Sequence, residues 1–208
     1  MNKRYRTEQE EFWAGDFGDQ YSLRNSGMEQ KQAREHLLSR ALKSIDTFDT
    51  AIEFGANVGL NLLALQKLFP RTLLTAVEIN LSAVTKLKAM DNIKVIHGSI
   101  LSDHVDCSYD LAFVIGVLIH IDPEFLPLVY DNIYTASKRY ILIGEYYSSK
   151  PTTVSYRGHE NRLFKRDFAG ELLDKFEDLS LVDYGFFYHR DPEVPLDDIT
   201  WFLMEKSL

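Results

Sequence analysis

The sequence predicts an α/β fold, in which helices cover both faces of a mostly parallel sheet. First, a short apolar run at 51–54 leads into a glycine-bearing loop and then into residues at helical spacing up to Pro70. Second, the run at 110–116 is almost wholly apolar, as a central parallel strand should be. Third, apolar runs at 179–189 and 199–206 predict a closing antiparallel hairpin. The 208 residues are enough for one domain with a full core.

The loop after the first strand has the residue types that a ligand-binding turn requires. Gly55 and Gly59 permit positive φ and let a ligand approach the backbone. Asn57 is of the non-glycine type that best tolerates the left-handed conformation. The N–H groups that begin the next helix favour a carboxylate or a phosphate. Glu78 ends the next apolar run, where an acid can bind both hydroxyls of a ribose.

Two ligands fit this description, a dinucleotide and S-adenosylmethionine (SAM). The dinucleotide fingerprint is G-x-G-x-x-G, whereas the loop that begins at Glu53 reads E-x-G-x-x-x-G and lacks the third glycine. This stretch resembles the first motif of the class I SAM-dependent methyltransferases. The resemblance implies a Rossmann-like seven-stranded methyltransferase sheet, with Glu78 as the ribose-binding acid. An ordinary βαβ turn with a solvated Glu78 is the alternative.

The remaining elements follow in order from periodicity and from the positions of glycine and proline. Helices are predicted at 28–45, 60–68, 82–90, 123–137 and 168–176, and further strands at 71–77, 92–97 and 139–144. The segments 7–25 and 148–166 are predicted to be irregular. The single domain would comprise an N-terminal lid at 1–27, a cofactor-binding core at 28–147, and a substrate loop with the closing hairpin at 148–208.

The N-terminal segment combines glycines and acids with four aromatic side chains, Phe12, Trp13, Phe17 and Tyr21. Burial of these rings on the core is the alternative to a ligand role. The stretch from Glu11 to Tyr21, with Arg24 and Asn25, resembles the opening of methyltransferases associated with pseudaminic acid biosynthesis. The resemblance implies an aromatic lid over the cofactor, with Tyr21 near the sulfonium and Arg24 paired with the methionine carboxylate. Trp13 is assigned to the acceptor side.

Two further turns complete the predicted cofactor site. Gly98, Ser99 and Ile100 follow the third strand, where many class I methyltransferases carry an aspartate that binds the adenine amino group. Ser99 can accept the same hydrogen bond, but more weakly because it is uncharged. Gly116 and Val117 open a G-V-L-x-H-I sequence that also resembles the family and would lie beneath the cofactor. The predicted cofactor-binding residues are Tyr21, Arg24, Glu53, Gly55, Ala56, Asn57, Gly59, Glu78, Ile79, Gly98, Ser99, Ile100, Gly116 and Val117.

The candidate catalytic residue is His120, which the same resemblance places near the transferred methyl. For a sugar hydroxyl, either His120 or His159 could act as a general base. For His120, a buried histidine bonded to the backbone is the alternative. The segment 148–166 is locally basic within an acidic chain. It therefore predicts a loop that holds a carboxylate or phosphate, with a solvated loop as the alternative. The predicted acceptor-binding residues are Trp13, Tyr147, Tyr156, Arg157, His159 and Arg162.

Charge and cysteine content argue against several functions. The net charge of −8 and the pI of about 5.2 disfavour nucleic acid as a partner, because phosphate binding needs a basic surface. The single cysteine, Cys107, permits no internal disulfide and no cysteine metal site, and it is expected to be an inert thiol. No apolar run suggests a signal peptide or a membrane span, so we expect a cytoplasmic protein.

Together these observations predict a SAM-dependent methyltransferase that produces S-adenosylhomocysteine (SAH). Its acceptor is expected to be a small anionic molecule, a sugar or nucleotide-linked sugar intermediate of surface glycan (nonulosonic acid) biosynthesis. The alternatives are an NAD(P)-dependent oxidoreductase that uses the same crevice, and a non-catalytic nucleoside-binding module. The acceptor atom stays open between oxygen, nitrogen and a carboxylate, and no oligomeric state is predicted.

Overall fold

A computed structural model describes residues 5–24, 27–102 and 108–207. The strands of these residues are β1 Thr50–Phe54, β2 Leu73–Glu78, β3 Ile93–His97, β4 Tyr109–Ile115, β5 Ser137–Glu145, β6 Thr152–Tyr156, β7 His159–Lys165, β8 Leu179–Phe187 and β9 Ile199–Lys206. The helices are α1 Glu8–Ala14, α2 Asp16–Arg24, α3 Met28–Ala41, α4 Leu60–Leu68, α5 Leu81–Leu87, α6 Leu126–Ala136 and α7 Phe168–Lys175. Most of them match predicted elements, with ends shifted by a few residues.

Seven of the described strands form one sheet in the order β3-β2-β1-β4-β5-β9-β8. Strands β1 to β5 pair in parallel, and β9 and β8 extend the sheet as antiparallel strands. The predicted mostly parallel sheet with a C-terminal antiparallel hairpin is therefore confirmed. Strand β1 lies between β2 and β4, where the strand order reverses. In open α/β sheets, ligands bind outside the carboxyl ends of the strands at this point.

The central strands alternate between two apolar layers, one on each face of the sheet. In β4, Leu111 and Phe113 pack in one layer, and Ala112 and Val114 pack in the other. Helices α3 and α4 contribute to the first layer, and α6 and α7 contribute to the second. Because both faces are covered, these strands must be apolar at nearly every position, which is why they were recognisable in the sequence.

The prediction of an irregular segment at 7–25 is wrong, since most of it forms α1 and α2; Asn25 lies outside the described residues. The start of α1 has a capping box. The hydroxyl of Thr7 accepts a hydrogen bond from the backbone N–H of Glu10, whose carboxylate in turn accepts from the N–H of Thr7. This T-x-x-E signal is visible in the sequence, but the glycines around it favour a loop.

The prediction of an irregular segment at 148–166 is also wrong. Strands β6 and β7 form a separate antiparallel hairpin over this segment. Its turn is Arg157-Gly158, with φ of +51° and +83°. Positive φ at both central residues is typical of a two-residue hairpin turn, although arginine is an unusual residue for the first position. Strand β7 of this hairpin contacts the turn that carries His120.

Two further predictions concern the cysteine and membrane-spanning segments. Cys107 lies outside the described residues, so its expected inert character stays a prediction. Over the ranges that the structure describes, no helix combines the length and the apolar character needed to cross a membrane.

Candidate active site

The carboxyl ends of the parallel strands surround one crevice. Trp13 and His120 line it. Most of the predicted cofactor-binding residues also line it, namely Tyr21, Gly55, Ala56, Asn57, Glu78, Ile79, Gly98, Ser99, Ile100, Gly116 and Val117. No cluster of metal-ligating side chains occurs among the residues that the structure describes.

The glycine loop after β1 has the backbone conformation that its sequence predicts. The φ angle is +73° at Gly55, +47° at Asn57 and +78° at Gly59. A Cβ on Gly55 would lie 2.5 Å from a methyl of Val117, so a side chain there would clash as well as strain the backbone. Gly116 also has a positive φ, of +69°, and an added Cβ would meet no described atom within 4 Å. The turn after β4 therefore presents open backbone to the crevice.

Glu78 is buried at the end of β2 and fixed by backbone donors. Its carboxylate oxygens accept hydrogen bonds from the N–H of Asn57 at 2.6 Å and the N–H of Asn80 at 2.7 Å. Burial raises the pKa of this carboxyl. A carboxylate has about four lone-pair sites, so these two bonds leave capacity for ligand hydroxyls. The arrangement suits a ribose, and it also holds the glycine loop against β2.

Three buried polar atoms near one end of the crevice have no hydrogen-bond partner among the described residues. They are one guanidinium nitrogen of Arg34, Oε2 of Glu53 and Oδ1 of Asn61. Arg34 and Asn61 line the crevice, and the amide of Asn61 donates to the other oxygen of Glu53 at 2.6 Å. Unpaired buried polar groups are costly, so this set indicates a place for a charged ligand that has both donors and acceptors.

In the protein without a ligand, the Glu53 carboxyl is protonated over part of the neutral pH range. Burial raises its pKa to about 8, although the hydrogen bond from Asn61 and the nearby Arg34 favour the charged form. A cationic ligand group at its free oxygen would reverse this shift, because an opposite charge stabilises the carboxylate.

Sequence reasoning missed Arg34 and Asn61 as site residues. Arg34 lies within α3, where nothing in the local pattern distinguishes it from a surface arginine. Asn61 follows the glycine loop directly, at the start of α4. That position, where backbone N–H groups already face a ligand, is the signal that could have identified it.

The turn after β3 borders the crevice with small groups. Gly98, Ser99 and Ile100 line it, and the hydroxyl of Ser99 accepts a hydrogen bond from the N–H of Leu101 at 3.0 Å. One lone pair of this oxygen is therefore engaged in the turn itself. The role of Ser99 towards an adenine stays a prediction.

Helix α2 and its neighbour α1 lie over the crevice and are joined to its rim. The side-chain amide of Asn80 donates to Asp19 at 2.9 Å and to the carbonyl of Trp13 at 3.3 Å. The hydroxyl of Ser22 donates to the side chain of Asn57 at 2.6 Å. The predicted lid is thus placed over the crevice, attached at the ends of β1 and β2.

The Gly18→Ala substitution should detach the lid formed by α1 and α2 from the crevice. A Cβ there would lie 1.9 Å from the carbonyl oxygen of Trp13 and 2.9 Å from the amide of Asn80, and backbone cannot move aside cheaply. Overpacking of this kind costs about 1–3 kcal/mol, so trypsin should cleave at exposed Arg24 roughly tenfold faster. Gly27→Ala is the control, because its Cβ would meet nothing closer than 4.0 Å. Equal cleavage rates for the two variants would contradict this account.

The lid and the β6–β7 hairpin together form an aromatic roof. The ring centroid of Trp13 lies 5.2 Å from that of Tyr21, 4.6 Å from that of His120 and 6.5 Å from that of Tyr156. The indole N–H of Trp13 is buried without a hydrogen-bond partner among the described residues. Burial raises the pKa of Tyr21, which keeps its phenol neutral. The rings therefore pack on one another, as the alternative to a ligand role expects, and Trp13, Tyr21 and His120 still line the crevice.

His120 lies in a short turn after β4 and is buried. Its Nδ1 is 2.6 Å from the carbonyl oxygen of Arg162 on β7. Burial lowers the pKa of the imidazole to about 4. The turn itself is held from below by Glu145, which sequence reasoning did not place in the site. One oxygen of Glu145 accepts hydrogen bonds at 2.8 Å from the N–H groups of Val117 and Leu118.

The structure does not bring every predicted site residue to the crevice. Arg24 is exposed at the end of α2 and Arg157 is exposed at the hairpin turn, while Glu53 and Gly59 are adjacent to the crevice without lining it. Among the predicted acceptor-binding residues, Tyr147 is 45% exposed. His159 packs on Phe12 and Phe17 of the lid, and Tyr156 packs on His120.

Arg162 belongs to a different surface. It lines a second cavity beside the lid, where its guanidinium lies 3.2 Å from the carboxylate of Glu8 and 5.3 Å from the ring centroid of Phe12. Its charge is therefore partly compensated within the chain.

No family model matches the sequence, and no curated protein matches it. Solved structures do match in fold. The 1,6-didemethyltoxoflavin-N1-methyltransferase of Burkholderia thailandensis, with bound 1,6-didemethyltoxoflavin and SAH, has a TM-score of 0.71 at 12% identity over 96% of this chain and 87% of that one. The magnesium protoporphyrin IX methyltransferase of Synechocystis PCC 6803, with bound SAM, has a TM-score of 0.68 at 12% identity over 99% of this chain and 100% of that one.

A third match is the glycopeptide N-methyltransferase MtfA complexed with SAM, with a TM-score of 0.65 at 11% identity over 84% of this chain and 94% of that one. At such low identities the likeness is one of fold. The strand order, the closing antiparallel pair and these superpositions together give the chain the Rossmann-like fold of the class I methyltransferases.

Proposed function

We propose that the protein is a SAM-dependent methyltransferase and that the crevice binds SAM. The observation that carries the proposal is the unpartnered set of Arg34, Glu53 and Asn61. An α-amino acid end fits it, because the carboxylate would accept from Arg34 and the ammonium would donate to the two oxygens. The pyrophosphate of a dinucleotide would bring negative charge beside Glu53 and no donor for either oxygen. This contrast favours SAM over NAD.

The remaining contacts are assigned by the same complementarity. The ribose would lie at Glu78, and the adenine at the turn of Ser99 and Ile100. The roof of Trp13 and Tyr21 would cover the sulfonium, since aromatic faces tolerate a cation. SAM would supply a methyl group activated by a sulfonium. The protein would align the acceptor with this methyl and exclude water, which is most of what such a transfer requires.

Calorimetric titration tests the proposal directly. We expect saturable binding of SAH and no measurable binding of NAD under the same conditions. Binding of NAD alone would favour the oxidoreductase. If SAH binds, transfer of label from methyl-labelled SAM into a small-molecule extract of nonulosonic-acid-producing bacteria would exclude a module that only binds nucleosides.

For the acceptor we propose a small anionic molecule, namely a sugar or nucleotide-linked sugar of surface glycan (nonulosonic acid) biosynthesis. The resemblance of the lid to methyltransferases associated with pseudaminic acid supports it. So does Arg157, whose guanidinium makes no ion pair with any residue that the structure describes and lies 5.7 Å from the ring of Tyr156. Two solved enzymes of this fold are named for small molecules, didemethyltoxoflavin and magnesium protoporphyrin IX.

A cytoplasmic location stays a prediction.

A further inference from the structure

The imidazole of His120 is held in one tautomer. A carbonyl oxygen has no proton to give, so the 2.6 Å contact between Nδ1 and the carbonyl of Arg162 requires the proton to lie on Nδ1. In the neutral ring, Nε2 then carries a lone pair. No described residue donates a hydrogen bond to Nε2. Because His120 lines the crevice, this lone pair is available to a ligand there.

The surroundings of His120 keep the ring neutral. It packs against both Trp13 and Tyr156, with ring centroids 4.6 Å and 4.9 Å away, and it makes no ion pair with a described carboxylate. Burial lowers its pKa to about 4, so the neutral form dominates at pH 7. The indole N–H of Trp13, which also lines the crevice, is buried and has no hydrogen-bond partner among the described residues. The polar groups identified beside His120 are therefore an acceptor, Nε2, and a neutral donor, the indole N–H of Trp13.

On the basis of the proposed function, we propose that His120 Nε2 accepts the proton of a neutral O–H or N–H nucleophile, and that the site does not methylate carboxylates. The nucleophile's lone pair forms the new bond to the methyl carbon. The carbon–sulfur bond breaks with its electron pair on sulfur, and the nucleophile's proton passes to Nε2 and then to water. The indole N–H of Trp13 would bind a second lone pair of the acceptor.

A carboxylate does not fit this arrangement. It has only lone pairs to present, so it would face the lone pair of Nε2 without a hydrogen between them. One neutral indole donor would be a poor replacement for its hydration. On an anionic sugar, the carboxylate would therefore bind elsewhere, and the reacting atom would be a hydroxyl or an amine.

The His120→Asn variant tests the role of Nε2 as a base separately from the structural hydrogen bond of Nδ1 to the Arg162 carbonyl. The asparagine amide can donate to the Arg162 carbonyl in place of Nδ1–H, but it places nothing at the position of Nε2. We expect SAH affinity to change less than about threefold, while label transfer into the small-molecule extract falls at least about 100-fold, as for loss of a general base. Transfer within about threefold of the unmodified protein would overturn the proposal.

Nitrogen NMR of the SAH-bound protein provides a readout that does not depend on activity. We expect the signals of a neutral His120 with an unprotonated Nε2 from about pH 6 to about pH 8. A protonated Nε2 at neutral pH would overturn the proposal even if no acceptor were known. Failure of the unmodified protein to bind SAH would count against the proposed function instead, because the tautomer is set by the protein alone.

Product chemistry gives the third measurement, with N-acetylneuraminic acid and its CMP-linked form as probes, since each carries a carboxylate and hydroxyls on one skeleton. Mild alkali releases methanol from a methyl ester but not from an ether or a methylamine. We expect all transferred label to resist alkali. Alkali-labile label, from these probes or from the extract, would show carboxylate methylation and overturn the proposal.

Discussion

Replacing Arg34 with methionine should weaken SAH binding by roughly 100-fold. The methionine keeps much of the apolar stem and removes the guanidinium, one nitrogen of which is buried and lacks a partner among the described residues. Hydrogen bonds to charged groups contribute about 1.5–3 kcal/mol, which corresponds to roughly 10- to 150-fold in affinity. Calorimetric titration measures the change, and thermal melting of the unliganded variant checks that the fold is kept.

Arg24→Met is the matched control, because the sequence and the structure point to different arginines. The lid resemblance assigns the methionine carboxylate to Arg24, whereas the structure places Arg24 on the exposed end of α2, with its guanidinium 6.0 Å from the ring of Phe17. We expect Arg24→Met to bind SAH within about threefold of the unmodified protein. The reverse pattern, with loss at Arg24 and none at Arg34, would restore the assignment made from the sequence.

SAH binding should strengthen about tenfold per pH unit from about pH 6 to about pH 8. Burial raises the pKa of Glu53 to about 8 in the unliganded protein, so this carboxyl is mostly protonated below that pH. The ligand ammonium favours the charged form and lowers the pKa in the complex, so binding must release a proton. A higher pH removes the cost of that release, and the gain ends once Glu53 is ionised in the free protein.

Glu53→Gln identifies the group that is responsible. Glutamine keeps the shape and an oxygen for the hydrogen bond from Asn61, but it does not titrate. We expect weaker binding with little dependence on pH over the same range. Calorimetry in two buffers of different ionisation enthalpy counts the protons released. An unchanged pH profile in Glu53→Gln would assign the effect to another group, such as Glu78, whose pKa burial also raises.

The parallel core was predictable because its constraints are local and strong. Strands covered on both faces must be apolar throughout, and the loop between Gly55 and Gly59 needs residue types that tolerate positive φ. The hairpin at β6 and β7 was not predictable in the same way. Its exposed residues lack a regular apolar alternation, and its turn uses Arg157 where asparagine or aspartate would be the usual signal.

The site was predictable where a backbone motif defines it and unpredictable where a distant helix contributes a side chain. Glu78 ends β2 and Gly116 follows β4, so the chain direction alone brings them to the same edge of the sheet. Arg34 comes from α3, and only the packing of that helix on the sheet decides which of its charged residues faces inward. Glu145 is the last residue of β5 and was visible as a strand end, but its bonds to the turn after β4 depend on strand order.

The roof over the crevice joins parts of the chain that are far apart in sequence. The amide of Gln9 donates to the carbonyl of Asn161, and Arg162 pairs with Glu8, across separations of 152 and 154 residues. Contacts of such long range carry a large entropy cost of chain closure. We therefore expect them to form after the sheet and to open before it. Ligand exchange could then proceed through local unfolding of a late-forming unit, while the sheet that holds the cofactor residues stays folded.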